Sequence, residues 1–240
     1  MKILSIDTSG WICGAAIVDS AAGLLASAAL NLDAVKSSHS VHLMAIIEFI
    51  LSKSGCEIRD MDAFAAVVGP GSFTGLRVGI ATIKGLSYAT GRPVAAVSSL
   101  EALAWNFPFA ASPVCAIIDA RQGEVYAAVY HWADGGFKAI EGPTLLRISD
   151  LLALGALNEG RVLFTGAGVN QYKNIIDETL GSSAIFAETD KVHISPFVVG
   201  TIGLKAAARG EYSPNIRPVY IKMPLAVERL KDAHRHSNDK

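Results

Sequence analysis

The chain has 240 residues, with 21 Lys and Arg against 22 Asp and Glu and a formal net charge of −1. Hydrophobic residues make up 51% and charged ones 18%, the opposite of the low hydrophobicity and high charge that mark a disordered chain. The length suits one large domain or two small ones, and the near-neutral balance excludes a strongly basic nucleic-acid binder, which needs a surplus of Lys and Arg.

The first residues read Lys2 and then Asp7 with no apolar signal region, so no secretory leader is expected. Ile3-Leu4-Ser5-Ile6-Asp7 is a short apolar run that predicts a strand ending in an Asp turn, Asp7-Thr8-Ser9-Gly10, with two further strands after it. Residues 39–53 predict a helix whose apolar residues, Val41, Leu43, Met44, Ile46, Ile47, Phe49, Ile50 and Leu51, cover almost its whole circumference. Val67-Val68-Gly69-Pro70-Gly71 predicts a strand running into a glycine loop, followed by a helix over 74–90, a strand over 94–97 and a helix N-cap at Ser98. The stretch 102–118 has no charge, but Pro108 and Pro113 interrupt it, so it is read as a boundary near residue 106 and not as a membrane span.

After that boundary the pattern returns. Cys115-Ala116-Ile117-Ile118-Asp119 repeats the opening strand at an offset of 112, and Phe164-Thr165-Gly166-Ala167-Gly168 repeats the glycine loop at an offset of 97. A short helix around 148–157 absorbs the difference; a helix over 170–180, a strand over 184–187 and a cap at Ser195 complete the second copy. Both halves therefore read βββαβαβα. Duplicated halves of this order describe the actin-like fold (also called ASKHA, ribonuclease H-like), with a domain over 1–106, a second over 107–225 and a polar, frayed tail over 226–240. Cys13, Cys56 and Cys115 are odd in number with no C-x-x-C spacing, which suits buried thiols in a reducing, cytoplasmic setting.

The densest motif is Gly69-Pro70-Gly71-Ser72-Phe73-Thr74-Gly75-Leu76-Arg77-Val78-Gly79. A loop entering a helix offers free N–H groups, so Gly71, Ser72 and Thr74 are candidates for contact with an anion or nucleotide, although the motif is neither a Walker A loop nor G-x-G-x-x-G. The alternative is a glycine turn capped by Ser72 or Thr74. In the second half, Arg121 and Gln122 stand where a phosphate-wrapping turn needs small residues, so ATP chemistry by this chain alone is not expected. Asp7 and Asp119 are candidate paired carboxylates, or simply strand ends. His39 and His42 share a helix face without a third metal ligand placed nearby, and His234 and His236 stand on the polar end. The all-round apolar helix, and the helix carrying Gly75, Gly79 and Gly85, are read either as two helices buried within one large core or as an inter-subunit helical interface.

Ile3 to Ser9, Ser38-His39-Ser40, Gly69 to Gly79 with Lys84-Gly85-Leu86, Ile118 to Tyr126, and Pro218-x-Tyr220 together resemble the bacterial TsaB (YeaZ) family over roughly residues 1–222. The resemblance implies a non-catalytic subunit in the making of N6-threonylcarbamoyladenosine next to the anticodon of tRNAs that read ANN codons. It implies pairing with the paralogue TsaD and the ATPase TsaE, a homodimer when alone, tRNA contact only through partners, and no membrane. Carried over by position, the helices from His39 and Thr74 would meet TsaD, or a second copy, with Leu43, Ile46, Ile47, Ile50, Gly75, Gly79, Ile83 and Leu86 as expected contacts. Direct tRNA binding is disfavoured by the charge balance, although Arg77, Lys84 and Arg92 add a modest basic edge to such a complex. ATP and metal are then expected on TsaD and none on this chain. The metal helix of TsaD reads H-x-x-x-H, whereas His39-Ser40-Val41-His42 is one residue shorter, which turns the second imidazole by about 100°. The competing reading is an ATP-dependent phosphotransferase, or a glycoprotease-like peptidase, of the same fold.

Overall fold

The computed structural model describes residues 1–157, 160–213 and 215–221. The expected tail over 226–240, with His234 and His236, lies outside the described residues. The first half runs β1 (Lys2–Asp7), β2 (Ile12–Asp19), β3 (Gly23–Asn31), a one-turn α1 (Leu32–Val35), α2 (His39–Ser54), β4 (Ala63–Gly69), α3 (Phe73–Thr90), β5 (Val94–Ser98) and α4 (Ser99–Ala104). The second runs β6 (Val114–Arg121), β7 (Glu124–Ala133), β8 (Gly136–Arg147), α5 (Ile148–Leu152), β9 (Val162–Thr165), α6 (Gly168–Leu180), β10 (Ala184–Phe186) and α7 (Pro196–Ala208).

The duplication inferred from the sequence is the organising feature of the fold. The two sheets have the orders β3-β2-β1-β4-β5 and β8-β7-β6-β9-β10, antiparallel in the first three strands and parallel in the last two. Central strands are buried on both faces, which is why β4 reads as an unbroken apolar run instead of alternating. Period-two geometry sends Leu4 and Ile6 toward α2 and α3, and Ile3 with Ser5 toward the opposite face.

That opposite face is shared by both halves. α7 lies across β1, β2, β4 and β5 of the first sheet, whereas α4 lies mainly on β6 and β7 of the second. Each half therefore ends in a helix that covers the other half's sheet, and the molecule stacks as α2/α3, first sheet, α4/α7, second sheet, α5/α6. The division at residue 106 falls in the link between α4 and β6, but the first sheet is covered only once residues 196–208 return to it.

The central helix layer is where many of the small residues go. Ala63, Ala65, Ala95, Ala116 and Ala128 line the sheet faces that enclose it. Gly200 and Gly203 of α7 sit so close to the sheet that a Cβ there would reach 2.5 Å from Val18 Cγ2 and 2.7 Å from Ala65 Cβ. Ser5 Oγ donates to the Pro196 carbonyl at 2.7 Å and fixes the start of α7 over β1. No described helix is long and apolar enough to cross a membrane.

Candidate functional site

Both halves build the same turn after their first strand. Asp7 Oδ1 accepts from the Ser9 amide at 2.9 Å, and Asp119 Oδ1 accepts from the Arg121 amide at 3.0 Å, the short-range side-chain turn that Asp favours. The two aspartates thus hold their own turns, and Asp119 also accepts from Tyr172 Oη at 3.0 Å. Burial pushes the Asp7 carboxyl up to about 6, against the opposing pull of its hydrogen bonds with Ser9 and Thr8. In the second half, Arg121 and Gln122 take the left-handed conformation, with φ of 68° and 57°, to close the β6–β7 hairpin.

Between the halves lies a cleft lined by Asp7, Ser9, Trp11, Ile118, Ala167 and His193. Its cavity is about 50 Å³, little more than one or two water molecules and far below the size of a ligand pocket. As it stands, the cleft does not fit a nucleoside triphosphate.

The glycine loop packs onto the first turn. The Ser72 amide donates to the Ser9 carbonyl at 2.7 Å, and a Cβ on Gly71 would strike that same carbonyl oxygen. Ser72 Oγ accepts from the Gly75 amide at 3.2 Å, so Ser72 is the N-cap of α3, while Thr74 is exposed. Of the three residues expected to meet an anion, Gly71 and Ser72 are thus engaged within the chain.

A metal fits no better at the two helix histidines. His39 Nε2 donates to the Gly10 carbonyl at 3.1 Å, and His42 Nε2 shares a hydrogen bond with Ser37 Oγ at 2.8 Å. Burial lowers the His39 pKa, against the upward pull of backbone contacts at Gly10 and Ile12. Each ring is tied to a different segment, and no group of three metal-ligating side chains occurs among the described residues.

Of the eight residues expected to meet a partner, six are buried within the chain itself. Leu43, Ile47, Ile50 and Ile83 are buried between α2, α3 and the first sheet. Gly75 and Gly79 are buried as well, because α3 runs against the Asp7–Gly10 turn: a Cβ on Gly75 would strike the Thr8 carbonyl, and one on Gly79 the Thr8 hydroxyl. These glycines serve an internal approach. Ile46 and Leu86 are half-buried at the edge of the same cluster. What faces solvent is a different set on the same helix: Val41 is 65% exposed, Met44 46% and Phe49 52%, with Tyr88 of α3 at 93%. Apolar residues all round α2 leave its buried stripe, Leu43, Ile47 and Ile50, unreadable from the sequence.

A family model described as TsaD, tRNA N6-adenosine threonylcarbamoyltransferase, matches residues 31–215. The tRNA threonylcarbamoyladenosine biosynthesis protein TsaB of Bacillus subtilis is 27% identical over 226 residues, 94% of this chain and 96% of that protein. The chain belongs to the TsaD family, in its TsaB (YeaZ) branch. The Escherichia coli TsaB is 34% identical over a shorter span, 57% of this chain and 58% of that protein. The solved structure of YeaZ from Pseudomonas aeruginosa superposes with a TM-score of 0.78 at 27% identity, covering 91% of this chain and 99% of that one. A TsaB-branch chain with the two-sheet, sheet-exchanged architecture is thus a duplicated actin-like protein, as its internal repeat implied.

Proposed function

We propose that the chain serves formation of N6-threonylcarbamoyladenosine in tRNA as a non-catalytic subunit that pairs with a TsaD-like paralogue, with a TsaE-like ATPase joining the pair. Near full-length likeness to TsaB supports the pathway. The observation that carries the subunit role is the set of large apolar side chains, Val41, Met44 and Phe49, that α2 leaves in solvent. A monomer gains nothing from large apolar side chains placed there, and a second helical surface would remove them from water. When the paralogue is absent, a second copy of this chain would cover the same side chains. ATP and metal belong on the paralogue, and the small cleft and the engaged histidines of this chain agree with that division of labour.

Gel filtration of the chain mixed with a TsaD-like paralogue tests the proposal, together with tRNA modification by the reconstituted set. Wild-type protein should co-elute and restore modification. Phe49→Glu should lose both while keeping its own fold, because the ring it replaces is half in solvent. Unchanged co-elution of Phe49→Glu and Met44→Glu would sink the surface assignment. ATP turnover by the isolated chain that disappears with Asp7→Ala would instead establish the competing phosphotransferase.

A further inference from the structure

A second surface lies on the flank of α3 away from α2. α2 packs over β2 and β3, whereas Ser213 and residues 215–220 lie along the other edge, with the Ser213 amide donating to the Val94 carbonyl and the Val219 amide to the Val68 carbonyl, both at 2.8 Å. Between that segment and α3 opens a groove of about 580 Å³ lined by Arg77, Ile80, Ala81, Lys84, Arg217, Pro218 and Tyr220. Three cations and no carboxylate line it. None of the three is ion-paired among the described residues, although the chain as a whole carries a net charge of −1.

The groove is also preorganised. The Arg77 guanidinium carbon stands 3.7 Å from the centre of the Phe73 ring, and Arg77 Nε donates to Tyr220 Oη at 3.1 Å. The Phe73 and Tyr220 rings stand 5.1 Å apart and are 37% and 40% exposed. One cation is therefore held in place by two rings that keep part of their own surface open, while Lys84 and Arg217 are unengaged among the described residues. Cations that track a backbone, beside aromatic surface on which bases stack, are what a single-stranded nucleic acid requires. An isolated phosphate would leave Ile80, Ala81, Pro218 and both rings without a role.

We infer that this groove binds a single-stranded segment of RNA, with Lys84 and Arg217 on its phosphates and the Phe73–Arg77–Tyr220 stack beside its bases. The inference rests on the proposed role in tRNA modification and makes the chain a direct contributor to substrate binding, on the side of α3 that the paralogue would leave open. The near-neutral net charge limits the size of this contribution. It does not forbid a local one, because electrostatic binding depends on the cations within about a Debye length of the strand.

The test uses the full chain in complex with a TsaD-like paralogue, a labelled unmodified tRNA transcript that reads an ANN codon, and the double variant Lys84→Gln/Arg217→Gln. Both side chains are exposed, and neither is ion-paired or hydrogen-bonded among the described residues, so the variant should fold and co-elute as wild type does. Its RNA affinity at low salt should fall roughly tenfold, and the slope of log K against log salt should shrink by about 1.4, two single-strand phosphate contacts. Poly(U) should displace the transcript better than polyphosphate of equal charge.

An unchanged affinity and slope, or equal displacement by the two polyanions, overturns the inference. So does loss of paralogue co-elution in the double variant, which would make the groove a site for an acidic protein segment. If wild-type chain and paralogue fail to associate, the proposed function fails by itself. The same variant comparison on the isolated chain at about 50 mM salt then still decides the groove.

Discussion

Replacing Gly79 with alanine separates two explanations of the α3 glycines that the sequence alone leaves indistinguishable. If Gly79 exists to admit a partner helix, Gly79→Ala should stabilise the isolated chain by about 1 kcal/mol, the usual gain of alanine over glycine inside a helix. The structure demands the reverse. A Cβ at Gly79 would overlap Thr8 Oγ1 and approach Ile6 Cδ1 to 3.3 Å, and Thr8 Oγ1 itself donates to the Gly75 carbonyl at 2.8 Å. Thr8 is buried, so displacing its hydroxyl forfeits a hydrogen bond worth about 1 kcal/mol, in addition to about 1–3 kcal/mol for overpacking. After the helix gain is set against these terms, a net loss of about 2 kcal/mol remains, a drop in Tm of roughly 4–8 °C for a chain of this size. Gly85→Ala is the internal control, since nothing lies within 4 Å of a Cβ there, and it should gain up to about 1 kcal/mol. Urea denaturation of both variants as isolated proteins decides the matter. A Gly79→Ala chain as stable as wild type, or more so, refutes the internal-approach explanation.

Gly200→Ala in α7 should lose about 1–3 kcal/mol in the same assay, because its Cβ would press on Val18 Cγ2 and on Ser5 Oγ, the donor to Pro196. The Asp7 carboxyl holds its proton up to about 6 in the folded chain against an ordinary 3.8, so the folded state binds more protons between those values and stability should fall as pH rises from about 4 to about 6. Asp7→Asn keeps an oxygen for the Ser9 amide and should flatten that part of the profile, gaining at most about 3 kcal/mol at pH 7; superimposable wild-type and variant profiles would falsify the burial argument. Residues 1–106 made alone lack α7, leave the Ile3, Ala65 and Val97 face bare, and should show no cooperative unfolding transition by circular dichroism.

Much of the fold was legible because duplication leaves its trace twice. The run from Ile3 to Asp7 is ambiguous alone, but its repetition from Cys115 to Asp119 predicted two matching strands, and the matched offsets placed α3 and α6, and β5 and β10, within two residues or so of their observed ends, while of β4 only the last residues, from Val67, were read. Ser98 and Ser195 stand at the N-caps as expected, although neither side chain makes a capping hydrogen bond. The glycine loop was also recognisable as a strand-to-helix turn. Its partner in space, the Ser9 carbonyl, was not, since no local pattern reports which backbone will press on a glycine from sixty residues away.

Of the residues expected at a partner face, Leu43, Ile47, Ile50, Gly75, Gly79 and Ile83 lie inside the chain. Helix α2 has apolar residues all round, so periodicity cannot orient it, and only docking on β2 and β3 decides that Leu43, Ile47 and Ile50 go inward while Val41, Met44 and Phe49 stay out. Of the basic groove, the sequence shows only the α3 side, Arg77 and Lys84 in a basic edge, because they meet Arg217 and Tyr220 only when residues 215–220 return beside β4.

The sequence by itself determined the duplicated βββαβαβα order, the apolar strands buried on both faces, and the family, because each is written in local pattern or in likeness spread along the chain. Tertiary structure alone decided that α4 and α7 exchange sheets, and with that exchange the meaning of the alanines and glycines. A helix layer enclosed between two sheets has neighbours on both sides, so small residues are needed there to let backbones come close. The composition that suggested an open, partner-ready surface is spent largely on an interior layer, and the surface left for partners is narrower, made of a few large side chains that the core has no room to take.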